Sequence, residues 1–463
     1  MSSPRPVSPV PQAPISTYDQ AVAFLMSLVR DDPRPYQARA RLAQLPVRAL
    51  LARVGDPHVD LPVVHIAGSK GKGSTALYLE AILNAAGLRT GTFTSPHLER
   101  WTERYRVNGR ETTSQEFAAL FARLQAHVHD LKHENDEIVP SFFDLLTAAA
   151  FLLFAEKQVD CAIIETGIGG RLDATNVVQP LVGCITSVEL EHTDKLGASI
   201  AAIAGEKAGI IKKGMAVVIG PLPGDAEALV RERAARLDAA VCALDQEIVL
   251  HSRRRTDGSF AIQVLDEDRK YHAVLPAISA RHSARNAALA IACAHRIVGD
   301  RDPSLEKAVT RSLAKTRPPG RMEVVADHPW VIIDGAHTPD SSLALADMLN
   351  DFPAHRMYLI VSLTAARDAA TVLAPLLARA HSIVCTSADP TRSLDHDSLA
   401  ANLVANGYDP CRVRVNADPR KAVLETYALL AADDLLCVAG SMYMAGVARK
   451  TLLSDRAVSR QSP

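Results

Sequence analysis

Between Pro62 and Gly220, short apolar runs alternate with stretches in which apolar residues recur at helical spacing. The runs cover residues 63–67, 90–94, 161–164, 182–188 and 216–219. Leu79, Ile82, Leu83 and Ala86 repeat at i, i+3, i+4 and i+7 between the first two runs. Leu146, Ala149, Ala150 and Leu153 do the same between the second and third. Strands that are apolar throughout and joined by helices predict a parallel sheet covered on both faces. Such sheets bind ligands beyond the carboxyl ends of their strands, so functional residues are sought immediately after each run.

Residues 247–265 read as a hairpin turning at Thr256-Asp257-Gly258-Ser259. Its Arg253-Arg254-Arg255 cluster reads as a solvated hairpin end, with an anion site as the alternative. A helix is predicted over 286–297. Lys315-Thr316-Arg317-Pro318-Pro319-Gly320 then breaks any helix and reads as a linker. A second alternation follows: strand 331–333, helix 342–349, strand 358–361, helix 371–379 and strand 383–385. The organisation expected is a proline-rich disordered tail over 1–16, a larger α/β domain over 17–316 and a smaller α/β domain over 317–463.

Composition narrows the function classes. The 463 residues carry 51 Lys plus Arg against 52 Asp plus Glu, a net charge of -1 that argues against a nucleic-acid binder. None of the 7 cysteines forms a C-x-x-C pair, and Cys161, Cys184, Cys385 and Cys437 sit in apolar runs as small buried hydrophobes. That pattern points to a reducing compartment. No uncharged apolar stretch approaches the ~20 residues that span a bilayer. The expectation is a cytoplasmic monomer acting on small molecules, with neither nucleic acid nor membrane as partner.

The first run leads through Gly68-Ser69-Lys70-Gly71-Lys72-Gly73-Ser74-Thr75 directly into a helix. Three glycines let successive N–H groups face one anion, and the helix N-terminus adds its dipole. Lys72 is then placed for the outer phosphates of a nucleotide, and the Ser74 or Thr75 hydroxyl for Mg²⁺. The pattern G-x-x-x-x-G-K-[ST] is not met, since Ile66 stands five residues before Gly71; a glycine-rich solvent turn is the alternative. The third run ends at Glu165, a hard oxygen ligand at the same sheet edge. The fourth leads to Glu189-Leu190-Glu191-His192-Thr193-Asp194, which adds an imidazole. Singly these are ordinary loop residues. Together, Ser74, Glu165 and His192 would serve one Mg²⁺–nucleotide site.

Seven stretches carry a family resemblance: HIAGSKGKGST, FTSPHLERWTERYRVNG, IIETGIGGRLDATNVV, EHTDKLG, EKAGIIKKG, PGRMEV and IIDGAHTPDS. Their set and order, spanning about 18–448, resemble folylpolyglutamate synthase/dihydrofolate synthase of the Mur ligase superfamily. The fold this implies is a Mur-ligase-like P-loop ATPase domain with a parallel-rich central sheet, plus a smaller Rossmann-like C-terminal α/β domain. The activity implied is ATP-dependent ligation of a dihydropteroate or reduced folate carboxylate to L-glutamate through an acyl phosphate.

The resemblance also implies roles by position. Gly68, Ser69, Lys70, Gly71, Lys72, Gly73 and Ser74 would cradle the ATP phosphates, joined by Asn286, Arg321, Asp334 and His337. Ser74, Ser95, Glu165 and His192 would hold Mg²⁺, with two ions expected. Lys207 matches a lysine that is carbamylated to N6-carboxylysine in the family, although on residue type alone it reads as a solvated helix-end lysine. Lys72, Lys207 and His192 form the implied catalytic set. Ser141, Phe142, Phe143, Asp144, Leu172, Asp173 and Ala174 would line the pterin pocket, where a phenylalanine can stack on the ring. The chain departs from the family pattern at Ser69-Lys70 within the loop, at Glu191 and Asp144, at Thr338, and over 362–368. A Mur-type ligase acting on a different acid, a P-loop kinase or GTPase, and a non-catalytic nucleotide-binding homologue are the other readings.

Overall fold

The structure is a computed structural model that describes residues 13–29, 44–135, 138–256, 259–276, 281–299, 304–365, 368–389 and 392–459. The chain divides into two units: one runs up to Thr316, and the other from Arg317 onward. His97–Arg100 belongs to the second unit. Its Leu98 is buried there against Gly320 and Gly446.

In the first unit, eight strands form one sheet: β1 (Val63–Ala67), β2 (Thr90–Phe93), β3 (Tyr105–Val107), β4 (Arg110–Glu111), β5 (Cys161–Glu165), β6 (Val182–Ile185), β7 (Ala216–Ile219) and β8 (Ala240–Ala243). Their order is β4-β3-β2-β5-β1-β6-β7-β8, with parallel pairing except for the antiparallel pairs β2–β3 and β3–β4 at one edge. Among the described residues, ten α-helices accompany them: α1 (Tyr18–Ser27), α2 (Leu45–Arg53), α3 (Lys72–Ala85), α4 (Ser114–Glu134), α5 (Phe142–Glu156), α6 (Thr193–Leu196), α7 (Ile200–Ala208), α8 (Gly224–Arg236), α9 (Arg281–Val298) and α10 (Ser304–Leu313). Side chains alternate faces along each strand. Val63, Ala162 and Ile164 therefore join the core under α1, α2, α4 and α5, while Ile185, Val217 and Ile219 meet α7 and α8. Val64, Ile66, Ile163 and Cys184 face α3, α9 and α10 on the other side.

The region expected as a hairpin is two strands of an antiparallel three-stranded sheet, β9 (Ile248–Arg254), β10 (Phe260–Asp266) and β11 (Arg269–Leu275). Tyr271, Ala273 and Leu275 of the third strand join the core with α9. Asp257 and Gly258 of the expected turn lie outside the described residues. In the second unit, β12 (Glu323–Asp327), β13 (Trp330–Ile333), β14 (Met357–Val361), β15 (Ala380–Cys385), β16 (Val413–Val415) and β17 (Leu435–Ala439) pair in the order β12-β13-β17-β14-β15-β16. Only β12 is antiparallel. One face of that sheet carries α11 (Pro339–Leu349), α12 (Ala369–Leu377) and α13 (His396–Ala405), and the other α14 (Pro419–Ala428) and α15 (Met442–Ser459). Both units are α/β with parallel-rich sheets, as the alternation predicts.

Three expectations change. The run 182–188 stops being strand at Ile185, because Thr186 and Ser187 turn their hydrogen bonds to the loop after β1. The expected tail 1–16 is docked at its end: Ile15 is buried in the core and the Ala13 carbonyl accepts from Gln125. Residues 1–12 of that tail lie outside the described residues, as do Ala366 and Arg367 of the 362–368 segment. A 21-residue helix, α4, fills a stretch for which no element was predicted. Among the described residues, no helix is long and apolar enough to cross a membrane.

Candidate functional site

The loop 68–74 joins the carboxyl end of β1 to α3, whose N-terminus is Gly71 at φ +86°. Glycine is needed there twice over, since the left-handed backbone disfavours a side chain and a Cβ would overlap the Asn286 amide of α9. Asn286 is thus held at the crest of the loop. On its other side the loop is tied to the residues after β6. Ser69 N donates to Ser187 O (2.9 Å), Lys70 N to Ser187 Oγ (2.8 Å), Thr186 Oγ1 to Lys70 O (2.5 Å) and Glu189 N to Ser69 Oγ (2.9 Å). Lys72 folds back over the loop, its Nζ donating to Gly68 O at 2.7 Å.

Glu165 closes β5, 3% exposed, and Oε2 accepts the Ser95 N–H at 2.8 Å. A Cβ on Gly73 would stand 3.4 Å from the same oxygen, so the carboxylate lies against the first turn of α3. Gly73, Ser95 and Glu165 are therefore neighbours, and Ser74 follows Gly73 in the same helix turn. His192 is placed differently. It is exposed, at φ +45°, and caps the short helix α6 well beyond the strand. Among the described residues, no three His, Cys, Asp or Glu side chains are grouped to hold a metal ion.

Lys207 overturns the solvated-lysine expectation. It lies in the last turn of α7, 0% exposed, and its Nζ donates to Glu191 Oε1 at 2.9 Å. Burial pushes the ammonium down to about 8; the attraction of Glu191 outweighs the repulsion from Lys72 but does not offset the loss of solvation. Burial alone would raise Glu191, but Lys207, Lys72 and Lys70 together hold it below the usual carboxylate range.

Beside the loop that follows Glu165 stands a second cluster. Ser141 caps α5 by accepting from Asp144 N, and Asp144 Oδ2 accepts from Ser141 N at 2.8 Å. Phe142 packs edge-on to Trp101 with ring centroids 5.3 Å apart, and Phe143 lies 6.1 Å from Phe93. Gly167 touches the Phe143 ring so closely that a Cβ would overlap it. Asp173 and Ala174 are buried and Leu172 is half-buried. Both Asp173 oxygens are used internally, Oδ2 by Gly167 N and Ile168 N, and Oδ1 by Thr175. In the second unit, Asp334 follows β13 and accepts from Met322 N and Ala336 N, each at 2.7 Å. That fixes the turn carrying the exposed Arg321, while His337 Nδ1 lies 2.7 Å from Gly335 O.

Residues 66–294 match the Mur ligase middle domain, and residues 320–442 the glutamate ligase domain of Mur ligases. The dihydrofolate synthase/folylpolyglutamate synthase of Bacillus subtilis is 33% identical over 410 residues, covering 88% of this chain and 94% of that protein. The chain belongs to the folylpolyglutamate synthase/dihydrofolate synthase family. A bifunctional folylpolyglutamate synthase/dihydropteroate synthase of Halobacterium salinarum is 36% identical across 93% of this chain, which spans only 51% of that longer protein. The structure of Mycobacterium tuberculosis folylpolyglutamate synthase complexed with ADP is 32% identical, with a TM-score of 0.85 over 94% of this chain and 98% of that one.

In this folylpolyglutamate synthase family member, residue-level reading overlooked Thr186 and Ser187, which anchor the loop, and Glu191 as the partner of Lys207. Two hydroxyl residues ending an apolar run were the available signal for the first pair. Asp144 gives a pH prediction. Burial, with Asp173 nearby, raises its carboxyl to about 6 from 3.8, so the native state holds a proton that the unfolded chain releases. Its contribution is complete below pH 3.8 and is lost as pH rises through about 6. Asp144→Asn, which keeps the cap acceptor, should therefore gain about 2–3 kcal/mol relative to the parent between pH 4 and 7. A stability difference between the two proteins that stays flat over that range in urea titrations would rule this out.

Proposed function

We propose that the chain is an ATP-dependent ligase joining a pteroate or folate carboxylate to the amine of L-glutamate, as dihydrofolate synthase, folylpolyglutamate synthase or both. The observation that carries this reading is a phosphate-type loop with a buried carboxylate, Glu165, against its helix, in a chain of this ligase family. The substrate carboxylate attacks the γ-phosphorus of ATP, and the bond to the bridging oxygen of ADP breaks. The neutral glutamate amine then attacks the acyl carbon, the carbon–oxygen bond to phosphate breaks, and the nitrogen releases one proton to the departing phosphate or to water, leaving an amide. The N–H groups of 68–74 and the Lys72 ammonium meet the growing phosphate charge, Lys72 exchanging its bond to Gly68 O for a phosphate oxygen. Asn286, beside Gly71, is a further ATP contact in this reading.

Mg²⁺, when bound, would neutralise phosphate oxygens. Glu165, Ser74 and Ser95 offer it hard oxygen donors, and His192 completes the set in this reading, with two ions in all. Lys207 fits an N6-carboxylysine. Carbon dioxide adds to a neutral amine with loss of a proton, and an amine titrating at about 8 is roughly one-tenth neutral at pH 7. The carbamate would place a second negative charge beside Glu191, a pair suited to a divalent cation. Ser141, Phe142, Phe143, Asp144, Leu172, Asp173 and Ala174 surround the pterin. Mixing the protein with Mg-ATP and a panel of pteroates, folates and other acids, each with and without glutamate, tests the reading. ADP should form only when a pteroate or folate and glutamate are both present. ADP release with other acids alone would indicate a different Mur-type substrate, and ATP binding without any release a non-catalytic homologue.

A further inference from the structure

A line of buried polar groups runs from the centre of the first unit's sheet to the loop after Glu165. His65 is the middle residue of β1, 0% exposed, with Ile164 and Gly183 as its neighbours in β5 and β6. Its Nε2 lies 2.8 Å from Thr175 Oγ1. Thr175 Oγ1 and N donate to Asp173 Oδ1 at 2.5 and 3.0 Å, and Asp173 Oδ2 accepts from Gly167 N (2.9 Å) and Ile168 N (3.0 Å).

Proton counting fixes the direction of this line. Asp173 accepts at both oxygens, so the single hydroxyl proton of Thr175 is directed to it. The Thr175 oxygen can then only accept, which requires His65 to carry its proton on Nε2. Nδ1 is left as a bare, buried nitrogen without a hydrogen-bond partner. Burial also lowers His65 to about 3, so the ring stays neutral. An aliphatic side chain would fill this core position without leaving a polar atom unsatisfied. What the histidine supplies is one N–H, spent on Thr175.

We propose that His65 is a positioning residue for the acid-substrate pocket: through Thr175 and Asp173 it sets the Gly167-Ile168 turn against Phe143. The inference rests on the ligase reading for the identity of that pocket. Its geometry does not depend on that reading, because Gly167 is held by Asp173 on one side and touches the Phe143 ring on the other.

The test compares steady-state kinetics with hydrogen exchange of the peptide covering 166–173 in the full chain. His65→Leu should raise KM for the pteroate or folate about tenfold, as loss of an orienting partner does. KM for ATP should stay within about twofold, and exchange at Gly167 and Ile168 should quicken. His65→Gln, whose amide N–H can replace Nε2–H, should restore most of the difference. Thr175→Val, which also removes the bond to Asp173 Oδ1, should act in the same direction as His65→Leu and at least as strongly, Thr175→Ser should resemble the parent, and the double variant should be no worse than Thr175→Val alone. Should His65→Leu fail to fold, the two Thr175 variants decide. Equal rises in both KM values, a His65→Gln no better than leucine, or unchanged exchange in Thr175→Val would each overturn the proposal. A parent protein inactive on every pteroate and folate, with the exchange pattern intact, would end the ligase reading and leave the positioning line standing.

Discussion

A Lys207→Ala variant should lose ligation by about 100-fold or more and should melt well below its parent. Alanine removes a fully buried cation and strands Glu191, whose carboxylate is itself largely covered. Deleting one partner of such a pair costs about 3–5 kcal/mol. An exposed helix-end lysine would have cost almost nothing. The two effects separate in Lys207→Met combined with Glu191→Gln, which removes both charges and should recover stability without activity. The lysine in the folded chain titrates at about 8 against 10.5 unfolded, so the unfolded state binds more protons between those values. Its contribution to stability therefore rises with pH across that window, and the double variant should lack the rise. Lys207→Arg retains the charge but cannot form a carbamate, and should be as inactive as alanine. An arginine enzyme that still releases ADP would remove the carbamate from the mechanism.

Glu165→Gln should reduce ligation by on the order of 10²-fold or more while keeping the fold. Glutamine preserves the acceptor for Ser95 N and fills the same volume at the end of β5. Alanine would leave that N–H unsatisfied and add about 1–3 kcal/mol of destabilisation, so it is the poorer probe of chemistry. The defining measurement is the Mg²⁺ dependence of ADP release, which should shift to higher concentration. His192→Ala should shift it in the same direction with no change in melting, because that imidazole is exposed. Parent-like Mg²⁺ curves and turnover in Glu165→Gln would sink the assignment.

The parallel strands were legible because they are buried on both faces and so read as unbroken apolar runs, as at 63–67 and 161–164. The loop 68–74 was legible because its glycines, lysines and serine are consecutive. Helix α4 escaped notice although Thr113 and Glu116 form a capping box at its start, a signal visible in the sequence. β11 was missed because Val274, between Ala273 and Leu275, breaks the alternation of apolar and polar residues that marks a half-buried strand. Lys207 could not be placed by local pattern at all. Whether a cation at a helix end is buried depends on Glu191, sixteen residues earlier in the chain. The approach of Asn286 to Gly71 depends on how α9 crosses the sheet, which no short spacing encodes. His65 was hidden for a third reason. It lies in an apolar run, and its partner Thr175 is separated from it by 110 residues.

The bonds from Thr186, Ser187 and Glu189 fasten the loop 68–70 to the protein's own residues. Fixing the backbone of a residue costs about 1–2 kcal/mol of conformational entropy, and here that loss is incurred when the chain folds. Capture of a triphosphate should then order little of residues 68–70, and its calorimetric signature should approach that of a rigid receptor. Loosening the tether would show itself as an entropic loss on binding, with the phosphate-contacting groups all still present.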